Sequence, residues 1–260
     1  TAQEALTVYT GKNFTGDSQS YEINTYHNQL GKFDNRIQSF KLKKGFAATL
    51  ANNPDGTGFS RMFIASDEDV EFPEMPEGME GFVSFIRVFK WEWTGKKGWA
   101  GGPSDQVNVS VFYDWDAGGD TENIDREYVP MRHNLGWQSF EVINSRNNVS
   151  HLLGYNEPDR SDQANMSVAH AIEQWPEMFK SGLRLGSPAP SSTPKAWLTD
   201  FMAICDSLNY RVDFVVTHAY QHQATSWWDW NIGATSRTAN GRPVWITEWN
   251  NGANWTGESW

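Results

Sequence analysis

Cysteine is nearly absent: Cys205 is the only one in 260 residues. An intramolecular disulfide and a thiolate zinc cluster are therefore both impossible. Basic charge is scarce, with 21 Lys and Arg against 32 Asp and Glu and a net charge of −11. That sign argues against nucleic acid as a partner, because phosphate backbones are held by basic patches. No apolar run approaches the roughly 20 residues that span a bilayer, so no membrane partner is expected. Nucleotide signatures are missing too: no Gly-x-Gly-x-x-Gly and no Gly-x-x-x-x-Gly-Lys-Ser/Thr opens a helix. There is no Gly-x-Ser-x-Gly elbow for a serine hydrolase and no His-Glu-x-x-His zinc motif. His218 and His222 are four apart, but at the end of a strand pattern rather than on a helix. No metal and no organic cofactor is expected for catalysis.

What is present suffices for a packed core, with 38% hydrophobic and 14% aromatic residues. Its distribution is uneven. Residues 1–90 contain no tryptophan, and all 14 lie between Trp91 and Trp260. The acidic excess shifts the same way, so the chain is expected to divide into a domain at 1–88 and another at 89–260. It starts at Thr1 rather than Met, read as a chain from which a leader has been removed and hence as a secreted protein.

The first 90 residues read as all-β. Ala5–Tyr9, Ser18–Ile23 and Ile37–Leu42 are short, rich in β-branched or aromatic residues, and punctuated by Gly11, Gly16, Gly31 and Gly45. Tyr9, Phe14 and Gly16, followed by Ser39, resemble the Greek-key motif of the βγ-crystallin family. A second copy over 45–88 has Gly58, Ser60 and Phe82-Val-Ser-Phe-Ile-Arg-Val88 in the matching places. The resemblance implies a possible Ca2+ site at Asp34-Asn-Arg-Ile-Gln-Ser39, where Gln38 occupies the usual hydroxyl position. Asp67–Glu80 carries seven carboxylates and reads as a solvated loop.

From residue 107 the period changes. Val107–Trp115, Tyr128–Met131, His151–Tyr155, Leu183–Ser187, Val212–Tyr220 and Val244–Trp249 read as apolar strands. Between them, Ser167 caps a stripe of Val168, Ala171, Ile172, Trp175 and Phe179, with Pro176 expected to kink that helix. Trp197, Leu198, Phe201, Met202, Cys205 and Leu208 form a second stripe. Buried strands alternating with helices indicate a parallel sheet, either a (β/α)8 barrel or an open doubly wound sheet. Polar residues gather where the strands end: Asn156-Glu157-Pro158-Asp159, Thr217-His218-Ala219-Tyr220 and Thr247-Glu248-Trp249-Asn250. In a barrel those ends converge on one face.

Two glutamates facing each other suit cleavage of a glycosidic bond. One, protonated, donates to the leaving oxygen; the other, ionised, attacks carbon or activates water. At this point the motifs resemble a family. Leu153-Gly-Tyr-Asn-Glu-Pro-Asp159 and Trp245-Ile-Thr-Glu-Trp-Asn250 look like the retaining (β/α)8 clan A glycoside hydrolases. Val111-Phe-Tyr-Asp-Trp115, Glu127-Tyr-Val-Pro-Met131, Leu185-Gly-Ser-Pro-Ala189 and Arg211-Val-Asp-Phe-Val-Val-Thr-His218 bring the match closer to family 128, the compact endo-β-1,3-glucanases. The resemblance covers roughly residues 88–260. It implies Glu157 as acid/base, Glu248 as nucleophile, Asn156 on the sugar 2-hydroxyl and Tyr220 beside the nucleophile. His218 is either a ligand-facing group or a core donor.

Tyr113, Trp115, Trp228, Trp230, Trp249 and Asn250 fall on or beside the sugar face, with Trp228 and Trp230 in the loop after Tyr220; an indole stacks well on a pyranose. Trp175 and Trp197 belong to helix stripes, and Trp91 and Trp93 to a domain interface. The expected partner is a polysaccharide. A catalytically silent carbohydrate-binding protein, or a hydrolase of another polymer such as an algal galactan, are the alternatives. With six strands from 107 onward and 12 residues after Glu248, the barrel is expected to lack its last strand and helix. Exposed edges of that kind favour association with a second chain.

Overall fold

The structure, a computed structural model, describes residues 4–91, 95–101, 107–119, 126–137, 139–191, 196–220 and 225–250, apart from the side chains of Thr225 and Asn250. Seven antiparallel strands occupy the first part: β1 (Leu6–Tyr9), β2 (Ser18–Tyr21), β3 (Ser39–Leu42), β4 (Phe46–Ala51), β5 (Ser60–Ala65), β6 (Val70–Phe72) and β7 (Phe85–Lys90). They form two sheets, ordered β2-β1-β3-β6 and β5-β4-β7. Each sheet borrows from the other half of this region. β6 pairs with β3, and His27 bridges to Ile86 in β7. Alternation sends Leu6, Val8, Phe40, Leu42, Leu50, Ile86 and Val88 into one core between the sheets.

The Tyr9-x-x-x-x-Phe14-x-Gly16 stretch folds as a tight corner. Tyr9 and Phe14 meet edge to face at 5.6 Å, and Gly16 takes φ +79°, where a Cβ would lie 2.5 Å from Thr10 Oγ1. Buried Ser39 pins that corner, donating to Gly11 O at 2.7 Å and accepting from Phe14 N at 3.0 Å. Two expectations change here. Asp67–Glu80 is not all loop, since β6 lies within it and Glu71 pairs with Lys41. Ser60 faces away from the first half and accepts from Arg211. Ser84 makes the link instead, donating to Asn35 Oδ1 at 3.0 Å.

The second part alternates strands and helices: β8 (Gly98–Ala100), β9 (Val111–Tyr113), β10 (Glu127–Tyr128), α1 (Phe140–Asn144), β11 (His151–Leu152), α2 (Val168–Phe179), β12 (Arg184–Leu185), α3 (Ala196–Ser207), β13 (Val215–Tyr220), α4 (Thr225–Ala239) and β14 (Val244–Asn250). Every pairing among these strands is parallel. Single bridges from Met131 to Leu153 and from Gly186 to Phe214 join the short ladders in chain order, and β14 returns beside β8. The six strands read from 107 onward are β9 to β14, and β8, which lies before them, is a seventh. A three-residue strand beginning with glycine leaves no periodicity to detect.

The helices follow their stripes. Ser167 Oγ caps α2 by accepting from His170 N, and Ala171, Trp175, Met178 and Phe179 turn inward. Pro176 does not end α2, which runs to Phe179. These residues, with Leu198, Phe201 and Met202 of α3, pack outside the strands. A smaller cluster of Tyr113, Met131, Leu153, Ala189, Phe214 and Val216, with Ala100 and Trp245 against it, gathers a residue from or beside each of the seven parallel strands.

The two parts meet at the ends where β11, β12 and β13 begin. Buried Arg87 of β7 donates to Tyr26 Oη at 2.8 Å and to the carbonyls of Ser181 and Arg146. Arg211 donates to Ser60 Oγ at 2.9 Å, and Arg61 to Asn209 Oδ1 at 2.8 Å. Trp91, expected at an interface, packs over Arg184 and His151 beside the outer core; Trp93 lies outside the described residues.

Candidate active site

The opposite ends of the strands carry the candidate residues. After β11 the chain makes two backbone bonds, Asn156 N to His133 O at 2.9 Å and Glu157 N to Ala189 O at 2.8 Å. These anchor the Asn156-Glu157 step between neighbouring strands. Glu157 sits at φ +42° and Trp115, just past β9, at φ +60°. Among the described residues the other non-glycine positions with positive φ are asparagines and Phe14. Two bulky residues held in that sparsely populated region therefore coincide with the site.

β13 and β14 bring the second group. Their register slips between Thr217 and His218, so that Thr217 opposes Ile246 while His218 opposes Glu248. Thr247 is thus the extra residue of a bulge. Strict alternation would put Glu248 on the face opposite Trp245; the bulge returns it to the inner face, beside His218 and Tyr220. Trp249 is then left 59% exposed.

The two glutamates share one imidazole. His218, fully buried, has Nδ1 at 2.9 Å from Glu157 Oε1 and 3.6 Å from Glu248 Oε2. Glu248 accepts from two donors, Trp115 Nε1 at 2.6 Å on Oε1 and Tyr220 Oη at 2.5 Å on Oε2, while Tyr113 Oη, 3.4 Å from Oε1, gives its single proton to Thr247 O at 2.9 Å. Burial, reinforced by the Glu248 carboxylate, raises the pKa of both phenols, so each stays a proton donor. Arg160 Nε stands 3.6 Å from Glu157 Oε2 while its guanidinium is held by Asp162. Asn156 Nδ2 donates to Gln163 Oε1 at 3.0 Å. Asn156 Oδ1 and His218 Nε2 are buried without a hydrogen-bond partner among the described residues.

One atom each from Glu157, His218 and Glu248 lie within 4.8 Å of one another, a spacing that invites a metal reading. Ligands about 2.0–2.1 Å from a tetrahedral zinc stand roughly 3.3 Å apart. The 2.9 Å His218–Glu157 contact is instead a hydrogen-bond distance.

Several sequence expectations are redrawn. Trp228 and Trp230 are not in a loop but in the first turns of α4. Trp228 meets Trp249 edge to face at 6.2 Å, and Trp230 is 52% exposed. The side chain of Asn250 lies outside the described residues, although its backbone pairs with Tyr220. His133, Arg160 and Gln163 were not signalled, because no spacing distinguishes them from ordinary loop residues.

Residues 90–259 match the family described as glycosyl hydrolase catalytic core. The chain belongs to that family. Among solved structures this glycosyl hydrolase is similar to a subgroup I family 128 endo-β-1,3-glucanase from Amycolatopsis mediterranei bound to laminaritriose. The identity is 31%, covering 60% of this chain and 71% of that one, with a TM-score of 0.53. A mutant of that enzyme bound to laminaripentaose is similar at 32% identity with the same coverage and TM-score. Alkali-sensitive linkage protein 1 of Schizosaccharomyces pombe is 26% identical over 151 residues, 54% of this chain and 27% of that protein. The glycosyl hydrolase chain thus spans about a quarter of its curated relative.

Proposed function

We propose that the chain is a retaining endo-hydrolase of β-1,3-glucan, with Glu248 as nucleophile and Glu157 as acid/base. The observation that carries this is the pairing of the two carboxylates through His218, with ligand atoms within 4.8 Å. Retaining glycosidases hold their carboxyl groups about 5–5.5 Å apart, whereas inverting ones leave room for a water between them. The donor pattern supports these roles. An ionised carboxylate only accepts, and Glu248 receives Trp115 Nε1 and Tyr220 Oη. In the first step a Glu248 oxygen bonds to the anomeric carbon as the glycosidic C–O bond breaks, and the Glu157 proton passes to the leaving oxygen. In the second, Glu157 takes a proton from water, whose oxygen displaces Glu248 from the same carbon. Asn156 Oδ1, buried and unpartnered, faces the sugar 2-hydroxyl in this reading. No cofactor enters either step.

The substrate class rests on likeness to endo-β-1,3-glucanases that bind laminari-oligosaccharides. A polymer too large to cross a cell membrane is cut outside the cell that uses it, which supports a secreted enzyme. For the architecture we infer a (β/α)8-type barrel over 89–260, supported by the parallel strands and their shared inner cluster. We also infer a βγ-crystallin-like domain over 1–88, supported by the exchange of β6 and the His27 bridge between its sheets. Sugar release from laminarin tests the function. Glu157→Gln and Glu248→Gln are each expected to lower it by about 10²–10⁴-fold, with the anomeric configuration of first products retained in the parent. Undiminished release by either variant would remove that residue from its role.

A further inference from the structure

We propose that Trp137 is a stacking platform for a glucosyl unit of the substrate chain, away from the bond being cut; this rests on the glucan-hydrolase reading above. Trp137 follows β10, on the same side of the strands as Glu157. Its indole lies parallel to the buried His133 ring, with centroids 3.9 Å apart and planes at 14°, yet the residue is 49% exposed. One face is therefore backed by protein and the other is free.

The loop is built to keep it so. Asn134 Oδ1 accepts from Gly136 N at 2.7 Å and from Trp137 N at 3.0 Å. Buried Arg132 donates to Trp137 O at 3.0 Å and Leu135 O at 3.3 Å. A large exposed aromatic fixed in advance loses little freedom when it binds. Burial lowers the pKa of His133, so a neutral ring sits beneath the indole.

The occupant follows from the surroundings. The open cleft beside Trp137 is bordered by Asp116, Ser139 and Val142. Asp116 Oδ1 accepts from Ala117 N, which leaves Oδ2 to accept from a hydroxyl. Ser139 Oγ accepts from Val142 N, which leaves its proton to donate. A ring with an apolar C–H face and hydroxyls at its edge matches an indole face rimmed by one acceptor and one donor. Trp137 stacks on His133, whose ring lies close enough to Glu157 and Glu248 to feel their charges, so the occupant is the polymer cut by that pair. His133 O holds Asn156 N, and Asn156 in turn holds Gln163, which hydrogen-bonds the His133 side chain.

The test is calorimetric binding of laminaritriose, laminaripentaose and laminarihexaose to the full chain carrying Glu157→Gln, which stops cleavage during the titration and serves as the parent, and to the same chain with Trp137→Ala or Trp137→Phe added. In the parent, affinity is expected to rise with chain length. Trp137→Ala should lose about threefold to tenfold of that rise, and Trp137→Phe should recover most of it. A rise unchanged in Trp137→Ala overturns the proposal. So does an equal loss at every length that Trp137→Phe does not restore, and so does a parent that binds none of the three. Laminarin hydrolysis by the unsubstituted chain separately reads the catalytic proposal, so the two can fail independently.

Discussion

Tyr220 aims its hydroxyl at Glu248 Oε2 from 2.5 Å, and a hydrogen bond to a charged group contributes about 1.5–3 kcal/mol. Tyr220→Phe is therefore expected to reduce kcat/KM on laminarin roughly 10- to 100-fold while circular dichroism stays unchanged. His151 works at the other end of the strands. It is fully buried, with Nδ1 at 3.2 Å from Glu127 Oε1 and Nε2 accepting from Arg184 at 3.0 Å. Burial lowers its pKa from the usual 6.5, and Arg184 occupies the nitrogen that a second proton would need. The unfolded chain takes up a proton below pH 6.5 that the folded chain resists. The stability this contributes is full above that pH and is lost as pH falls toward the depressed folded value. Thermal melts should thus drop between about pH 7 and pH 5, by at most about 1.4 kcal/mol per pH unit from this group. The slope should be shallower in His151→Gln; an equal slope in both would exonerate His151.

At the scale of elements, close approach matters more than propensity. Gly154, between β11 and Asn156, has no room for a side chain: a Cβ would lie 2.7 Å from Pro188 N and 2.9 Å from Ser187 C. Those are backbone atoms, which cannot swing aside. Gly154→Ala should cost about 1–3 kcal/mol and push apart the strands that carry Asn156 and Ala189. Melting temperature and laminarin hydrolysis are both expected to fall. Undisturbed melting would mean that the strands separate freely. The β14 bulge shows why element patterns alone misplace a residue. Trp245 and Glu248 have opposite parity in the sequence, yet both face inward because Thr247 is skipped in the pairing. The helix stripes were legible, since Ala171, Trp175 and Phe179 are buried at the spacing read. The change of Trp228 and Trp230 from loop to helix was not, because Trp-Trp-Asp-Trp carries no clean period.

Across the whole molecule, the β-sheets of the first part cover the strand ends opposite the catalytic cleft. Arg87 is the central tie. Arg87→Met would take one donor each from the Ser181 and Arg146 carbonyls and from Tyr26 Oη inside a packed interface, with Ser181 O keeping its bond from Tyr26 Oη at 3.0 Å. We expect a loss of about 2–4 kcal/mol, seen as a lower melting temperature. Laminarin hydrolysis well below the melt should stay close to parental, because the cleft lies at the far ends of the strands. Activity lost at low temperature with an unchanged melt would place Arg87 in the cleft's support instead.

The sequence by itself determined the residues on which the proposed chemistry rests: two glutamates after apolar strands, in Asn-Glu-Pro and Thr-Glu-Trp settings, and a tryptophan excess confined to one part of the chain. Those are properties of residue type and local order, which a linear chain already contains. Only the tertiary structure decided that His218 joins both carboxylates and that a bulge turns Glu248 inward. It also decided that Trp137 stacks on His133, and that the first part sits at the strand ends opposite the cleft. Each of these depends on which backbone neighbours which across long stretches of chain, and packing sets that.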